Sequence, residues 1–241
     1  MIQLKLKLVI AVFAVLPFCL NAQTEEMSTL FGGDKEIRTG GYGAFEIKLS
    51  QIDGDLSGLL LGGRGGVIIN NVFSIGGAGY GLVPTKKINC PIPGHETEKN
   101  NFWTGGYGGL FFEYINSSNS LVHFTANTLI GWGGITYTSH SDFSNLNNIA
   151  KHPVSVTWVL EPGIGVELNV FKNFRMYLGA SYRYAPGFEF KYDDINNVQN
   201  DIVPTTAFNG LSVNLAFKFG NFTGHTNAER EAKIKDLFGI E

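Results

Sequence analysis

Apolar and charged side chains fall on opposite faces of one long segment, residues 154–170. Every even-numbered position from Val154 to Val170 is apolar, whereas the odd-numbered positions include Glu161 and Glu167. Successive side chains of a β-strand point to opposite faces, so this alternation predicts a strand with one apolar and one charged face. The segment is 17 residues long, whereas strands of globular sheets usually have about 5–6 residues.

The same alternation predicts eight long strands. Apart from the first connection, the segments that join them alternate between short turns and long loops. Asn70-Asn71, residues 116–119 and Lys172-Asn173 are short polar turns, and residues 84–100, 139–152 and 186–205 are long. Bacterial outer-membrane barrels have short periplasmic turns and longer external loops. We therefore predict an all-β fold, an eight-stranded antiparallel up-and-down transmembrane β-barrel with both termini in the periplasm. The predicted strands are 36–50, 55–70, 72–84, 101–115, 120–138, 153–170, 173–185 and 206–220.

A soluble secreted sandwich or lipocalin-like barrel would also alternate, with its apolar face inside. Two features favour the membrane barrel. The charged faces are sparse and rich in glycine, and charged residues make up 16% of the chain, against about 25% in soluble domains. Aromatic residues also lie on the apolar faces near strand ends, as the girdles of membrane barrels require. The predicted lipid-interface aromatics are Trp132, Trp158, Tyr182, Tyr184 and Phe219.

The first 22 residues have the pattern of a secretory signal peptide. Lys5 and Lys7 precede an apolar stretch of 13 residues, and Ala22 offers a small residue before the cleavage point. This stretch is too short for a membrane-spanning helix, which needs about 20 apolar residues. Lipidation of Cys19 is the alternative, but the bulky Phe18 stands where that signal has a small residue. We expect a signal peptide at 1–22, a periplasmic segment at 23–35, the barrel at 36–220 and a tail at 221–241.

The tail has the sequence of a short periplasmic helix. Thr226 and Glu229 form a capping box, and the pairs Glu229/Lys233 and Glu231/Lys235 have the i,i+4 spacing of helix-stabilising ion pairs. We expect this helix to pack on the barrel rim or on a periplasmic partner.

The charged faces predict a filled lumen, because an eight-stranded barrel is just wide enough for side chains to occupy its interior. Buried charges need partners, so we expect a crossed ion-pair network in which Glu161 and Glu167 face Arg175 and Arg183, and His123 contacts Glu113. A narrow gated pore with exchanging ion pairs is the alternative. The predicted network is Glu46, Lys48, Arg64, Glu113, His123, Glu161, Glu167, Arg175, Arg183 and Lys218.

Glycine clusters such as residues 62–66 and 105–109 resemble nucleotide-binding loops only superficially, because more strand follows them where a helix would be required. Inside a strand, glycine marks tight curvature or a close approach of other groups. In a small barrel such glycines make room for Arg64, Tyr42 or Tyr107. We predict no cofactor.

No other chemistry stands out in the sequence. No metal-ligand spacing is evident, and the net charge of −3 argues against nucleic-acid binding. His140-Ser141-Asp142 contains nucleophile-type residues, but a catalytic triad requires a spatial geometry that adjacent loop residues seldom achieve. We predict no catalytic residue. Once the signal peptide is removed, Cys90 is the one remaining cysteine, which excludes an internal disulfide.

Three features resemble the OmpA/OmpX-like outer-membrane β-barrel proteins, especially the Bacteroidetes-type β-barrel domain. They are Ala22-Gln23 at the signal end, the two Gly-Gly-Tyr-Gly strings at 40–43 and 105–108, and the closing alternation Leu211–Phe219. The resemblance implies insertion by the outer-membrane assembly machinery, which recognises a C-terminal strand ending in an aromatic residue. Phe219 fits, although 22 residues follow it. The family implies structural, adhesive or small-solute roles and no common enzymatic activity.

From these patterns we expect a non-enzymatic, monomeric barrel in the cell outer membrane, surrounded by its lipids. Its charge-filled lumen leaves an envelope-structural role, or surface interaction through the external loops, as the leading hypothesis. The alternatives are a small channel or porin, a hydrophobic-solute transporter and, third, a lipid A–modifying enzyme that uses His140 or Ser141.

Overall fold

The computed structural model describes residues 37–52, 54–84, 87–88, 101–139, 154–188, 191–193, 199–201, 205–226 and 229. The proposed signal peptide, the segment 23–35, most of the long loops and all of the tail helix beyond residue 229 lie outside these ranges. No helix long and apolar enough to cross a membrane occurs in the described part of the chain.

Eight long antiparallel strands close into a barrel, which confirms the predicted eight-stranded antiparallel up-and-down arrangement. β8 continues to His225 rather than ending at residue 220, and the other bounds lie within a few residues of those predicted. The strands are β1 (Thr39–Ile52), β2 (Asp55–Ile69), β3 (Phe73–Val83), β4 (Asn101–Ile115), β5 (Val122–Ser139), β6 (Ser155–Phe171), β7 (Phe174–Arg183) and β8 (Gly210–His225).

Pairing of the first strand with the last closes the barrel. Phe45 of β1 lies opposite Phe217 of β8, and every other strand pairs with its neighbours in chain order. A two-residue segment, Lys87–Ile88, adds to the edge of β4. Lys191–Asp193 and Gln199–Asp201 form a separate small hairpin between β7 and β8.

The two ends of the barrel differ in their connections. At the turn end, short turns join β2 to β3, β4 to β5 and β6 to β7. Asn70 and Asn71 have φ angles of 51° and 59°, as a type I′ hairpin turn requires. At the loop end lie the three long connections and the tight turn between β1 and β2, where Gly54 has a φ of 82°.

Burial follows the predicted alternation, with the apolar face outside. On β1, Phe45 and Leu49 are 50% and 52% exposed, whereas Glu46 and Lys48 are 0% and 3% exposed. The soluble alternative requires the apolar face inside, so the structure does not support it. The charged face forms the lumen.

Candidate functional site in the lumen

All ten residues of the predicted network point into the lumen. None of them is more than 5% exposed. They come from seven of the eight strands, all except β3, so their side chains meet across the interior. This arrangement follows from the strand parity, because each charged side chain lies on the inner face of its own strand.

Glu167 holds the part of the network nearest the turn end. Its carboxylate contacts Lys218, lies 3.4 Å from Nη1 of Arg175 and lies 3.1 Å from Nε2 of His123. Lys218 and Arg175 are direct cross-strand neighbours, and like charges in that position repel each other. Glu167 therefore compensates two cations that the sheet register forces together.

Arg175 is also fixed by the turn between β4 and β5. Its Nη2 donates to the carbonyl oxygen of Ser118 at 3.2 Å and to the Ser118 hydroxyl at 2.9 Å. The turn residue Ser118 is itself buried. The β4–β5 turn thus folds over the lumen and closes the turn end.

The middle of the lumen is organised around Glu113, Arg64 and Glu46. Lys218 donates to both oxygens of Glu113 at 2.8 Å. Nε of Arg64 lies 3.3 Å from Glu46, and its Nη2 lies 3.9 Å from Glu113. The Arg64 guanidinium also lies 4.3 Å from the centre of the Tyr177 ring. One arginine therefore joins two carboxylates and an aromatic face.

Lys48 and Glu161 form the next layer toward the loop end. Nζ of Lys48 lies 2.7 Å from Glu161, and it lies 3.6 Å from the centre of the Tyr80 ring. Ser181 also donates to Glu161. This pair spans the lumen, because β1 and β6 are not neighbours in the barrel.

One predicted contact is wrong. His123 contacts Glu167 rather than Glu113, because the register places His123 opposite Glu167 and pairs Glu113 with Asn127. Arg183 interacts electrostatically with Glu161 but, among the described contacts, is not within ion-pair distance of that carboxylate. Its Nε instead donates to the carbonyl oxygen of Phe208 at 2.8 Å.

Inward-facing tyrosines belong to the site, and the sequence reasoning recognised only two of them. Tyr42 donates to Glu113 at 3.1 Å, and Tyr80 donates to Glu46 at 3.0 Å. Tyr107 lies beside Lys48, and Tyr177 accepts from Asn127 at 3.1 Å. Tyr177 has the same parity as Arg175 and Arg183 of its strand, which is the signal that could have identified it, whereas the strand that holds Tyr80 carries no charged residue.

Glycines create the space that these rings occupy. A Cβ on Gly165 or Gly179 would collide with the Tyr177 ring, and those two glycines face each other across β6 and β7. The predicted role of glycine in making room is seen for Tyr107, since a Cβ on Gly133 would lie 2.8 Å from its side chain.

The loop end of the lumen is apolar, a feature that the predicted charge-filled lumen did not include. Strand residues wall this region, and Phe188 and Phe208 enter it from the connection between β7 and β8. Parity could have identified the strand residues, since Leu60 shares a face with Arg64 and Val159 with Glu161. The main strand residues of this loop-end cluster are Ile52, Leu60, Leu82, Trp103, Ile135 and Val159.

A cavity of about 20 Å³ lies within the loop-end cluster, with Arg183 in its wall. That volume is about enough for one water molecule. The described part of the lumen is therefore packed, with ion pairs in the middle and apolar side chains toward the loop end.

The outer surface carries aromatic residues at both ends of the barrel. Trp132 and Trp158 are cross-strand partners near the loop end, and Trp158 packs edge-on against Tyr184 at 5.3 Å. Phe219 stacks on Phe174 at 4.7 Å near the turn end. Tyr182, also predicted as an interface residue, is 43% exposed on the outer face of β7.

The rim at the turn end holds the predicted capping box. Thr226 N–H donates to Glu229 at 3.0 Å, and Glu229 N–H donates back to the Thr226 hydroxyl at 3.2 Å. Arg38 contacts the same carboxylate at 3.0 Å. The Thr226 backbone donor, with Arg38 beside it, lowers the pKa of Glu229.

Metal and catalytic arrangements are not found among the described residues. No group of three His, Cys, Asp or Glu side chains in them is placed to hold a metal ion. Both ring nitrogens of His123 are engaged, Nδ1 with the Ser120 carbonyl at 3.2 Å and Nε2 with Glu167. His140 and Ser141 lie outside the described residues.

Comparison with known proteins finds similarity of structure only. No family model matches the sequence, and no curated protein matches it. Among solved structures, the N-terminal β-barrel domain of Pseudomonas aeruginosa OprF aligns with a TM-score of 0.49 at 10% identity, covering 77% of this chain and 99% of that one.

Two further structures align over similar lengths. Neisserial surface protein A gives a TM-score of 0.47 at 12% identity, covering 78% of this chain and 99% of that one. A major outer membrane protein from Thermus thermophilus gives 0.45 at 10% identity, covering 76% and 98%. Similarity at this level assigns neither a family nor an activity to the chain.

Proposed function

We propose that this chain is a non-enzymatic, monomeric outer-membrane β-barrel with a closed lumen. Its role is to contribute to the envelope and to interact at the cell surface through its external loops. The observation that carries the proposal is the inverted distribution of polarity. Leu178, Leu110 and Ile164 are 59–69% exposed on the outside, while four glutamates are buried inside.

The dimensions of the outer surface support insertion in a membrane. Phe174 is the first residue of β7, and Tyr184 directly follows the last one. Both side chains face outward, ten positions apart. At about 3.3 Å per residue and a tilt of about 40°, they lie roughly 25 Å apart along the barrel axis. The apolar band of outer-membrane barrels is about 25 Å tall, so aromatic residues border a belt of the right height.

The packing of the lumen supports a closed barrel rather than a channel. Lys218 and Glu113 bridge opposite strands, and Lys48 and Glu161 bridge a second level. Opening a continuous path would separate these pairs, and isolated buried charges are costly. With the lumen filled, the loops are the part of the molecule left to meet a partner.

Conductance in planar bilayers tests closure of the lumen. We expect no steady conductance from the purified wild-type barrel. A steady wild-type conductance would overturn the closed-lumen proposal and favour the channel alternative.

Location and orientation need separate tests. The barrel should be recovered with outer membranes, and unheated and boiled samples should migrate differently on SDS gels. Cys90 lies in the sequence of a connection at the loop end, so a membrane-impermeant maleimide should label it on intact cells. In a Cys90→Ser/Lys172→Cys variant the cysteine lies at the turn end, and labelling should require permeabilised cells. The reverse result would invert the proposed orientation.

A further inference from the structure

Arg183 is the lumen cation whose charge is not matched by a contacting carboxylate among the described residues. The part of the inner face that the structure describes holds five Lys and Arg side chains and four glutamates, and each of the other four cations lies within 4.0 Å of a glutamate. Arg183 instead donates to the backbone carbonyls of Phe208 and Gln51, at 2.8 and 3.2 Å.

One nitrogen of Arg183 also has no hydrogen-bond partner. Nη1 is buried and unpaired within the described part of the chain, and the side chain as a whole is 2% exposed. A buried guanidinium favours an anionic partner in fixed geometry. Among the described residues, Nη1 therefore lacks a hydrogen bond and the guanidinium lacks a carboxylate in direct contact, although Glu161 interacts with it at longer range.

Apolar walls surround this position on the loop side. Arg183 borders the 20 Å³ cavity together with Leu60, Leu82, Ile135 and Val159. Phe188 and Phe208 complete the lining, and their rings lie 5.2 Å apart. The walls are strand residues, whereas both phenylalanines come from the connection between β7 and β8.

We propose that this mouth of the barrel binds an aliphatic carboxylate. The carboxylate pairs with Nη1 of Arg183, and the hydrocarbon chain takes the place of the Phe188 and Phe208 rings against the strand walls. The ligand supplies the hydrogen bond that Nη1 lacks and a carboxylate in direct contact with the guanidinium, and its chain is an apolar replacement for apolar rings. The cavity alone is too small for such a chain, so binding requires the two rings to move.

This inference goes beyond the proposed envelope role and does not require a conducting lumen. The ion pairs at Lys48 and Lys218 lie deeper in the barrel and stay in place when the mouth is occupied. A bilayer recording without conductance is thus compatible with binding, and failure of binding leaves the closed lumen intact.

Tryptophan fluorescence can report on the site, because the chain has three tryptophans and Trp103 belongs to the loop-end cluster. In a Trp132→Phe/Trp158→Phe background, Trp103 is the sole tryptophan. The probes are an ω-brominated undecanoate and the matching ω-brominated undecanol, added to folded barrel in lipid nanodiscs. A Trp103→Phe/Trp132→Phe variant, which keeps the outward Trp158, reports quenching by probe dissolved in the lipid.

We expect the acid to quench Trp103 saturably and the alcohol to bind about tenfold more weakly or worse, as loss of a charge-assisted hydrogen bond predicts. Arg183→Met should weaken binding of the acid to the affinity of the alcohol. Arg183→Lys should bind the acid with an intermediate affinity. Phe188→Ala/Phe208→Ala keeps Arg183 and should tighten the acid, because no rings need to be displaced.

Three results would overturn the proposal. They are equal binding of acid and alcohol to Trp103, quenching of Trp103 that is no more saturable than that of Trp158, and unchanged or weaker acid binding after removal of the two phenylalanine rings. Different mobility of unheated and boiled samples verifies that each variant is folded before it is titrated.

Discussion

Lys218 on β8 bonds to Glu113 on β4, although these two strands are diametrically opposite in the eight-stranded barrel. Both carboxylate oxygens lie 2.8 Å from Nζ of the lysine. Each residue is 1% exposed. A single ion pair thus crosses the full width of the lumen and ties together strands that share no backbone hydrogen bond.

Removing one member of this pair should destabilise the barrel strongly. Lys218→Met leaves Glu113 with the Arg64 guanidinium, 3.9 Å away, as its cationic neighbour, and breaking a buried pair costs about 3–5 kcal/mol. Urea titration in lipid vesicles, followed by gel mobility, measures the change. Lys172→Met in the exposed β6–β7 turn is the control and should change the free energy of unfolding by less than about 0.5 kcal/mol.

The double variant Glu113→Gln/Lys218→Met separates pairing from packing. It removes both charges, so it should lower the free energy of unfolding by less than the sum of the decreases in the two single variants, Glu113→Gln and Lys218→Met. Glu167, the other carboxylate at Lys218, keeps its contact with Arg175. Strict additivity of the single losses would show that the two residues do not stabilise each other.

The ring of Tyr177 should make its glycine neighbours sensitive to substitution. Gly179→Ala places a methyl group against the Tyr177 hydroxyl and 2.6 Å from the Ile164 carbonyl oxygen. Overpacking of this kind costs about 1–3 kcal/mol. Gly43→Ala is the control, since among the described residues nothing lies within 4 Å of its added Cβ. Equal unfolding midpoints for the two variants would contradict the steric role of Gly179.

Strand parity predicts which side chains enter the lumen but not which of them meet. His123 shows the difference, because its partner depends on the strand register. Glu113 pairs with Asn127 across β4 and β5, which leaves His123 opposite Glu167. The Lys218–Glu113 contact depends further on barrel shear and on side-chain rotamers, and neither is encoded in a local pattern.

The loop-end cluster divides in the same way. Leu60 and Val159 could be assigned to the lumen, because each lies an even number of positions from a charged residue on its strand. Phe188 and Phe208 lie in an irregular connection, where no periodicity indicates direction. Sequence patterns therefore could not predict that Arg183 donates to the Phe208 carbonyl oxygen rather than pairing directly with Glu161.

The capping box predicts a pH-dependent contact at the turn-end rim. The pKa of Glu229 is lowered, first by the Thr226 backbone donor and then by Arg38. A lowered pKa means that the stabilisation is present above the ordinary glutamate pKa and is lost as pH falls through the lowered value. Carboxyl NMR titration of Glu229 measures this directly.

The variant Arg38→Gln tests which donor matters most to Glu229. It should raise the pKa of Glu229 only part of the way to the ordinary value, because the Thr226 N–H remains. A pKa restored in full by Arg38→Gln would show that the ion pair, rather than the backbone donor, is the main cause.

Two outward leucines distinguish a membrane barrel from a barrel in water. Leu178 lies in the middle of β7 and is 60% exposed, and Leu121 lies next to the β4–β5 turn and is 68% exposed. On a lipid face, arginine costs about 2–4 kcal/mol at the bilayer midplane and about 0–1 near the interface. Leu178→Arg should therefore be much more destabilising than Leu121→Arg in urea titrations of vesicle-folded protein. If water surrounded the whole barrel, the two variants would have similar free energies of unfolding, because both side chains would be equally solvated.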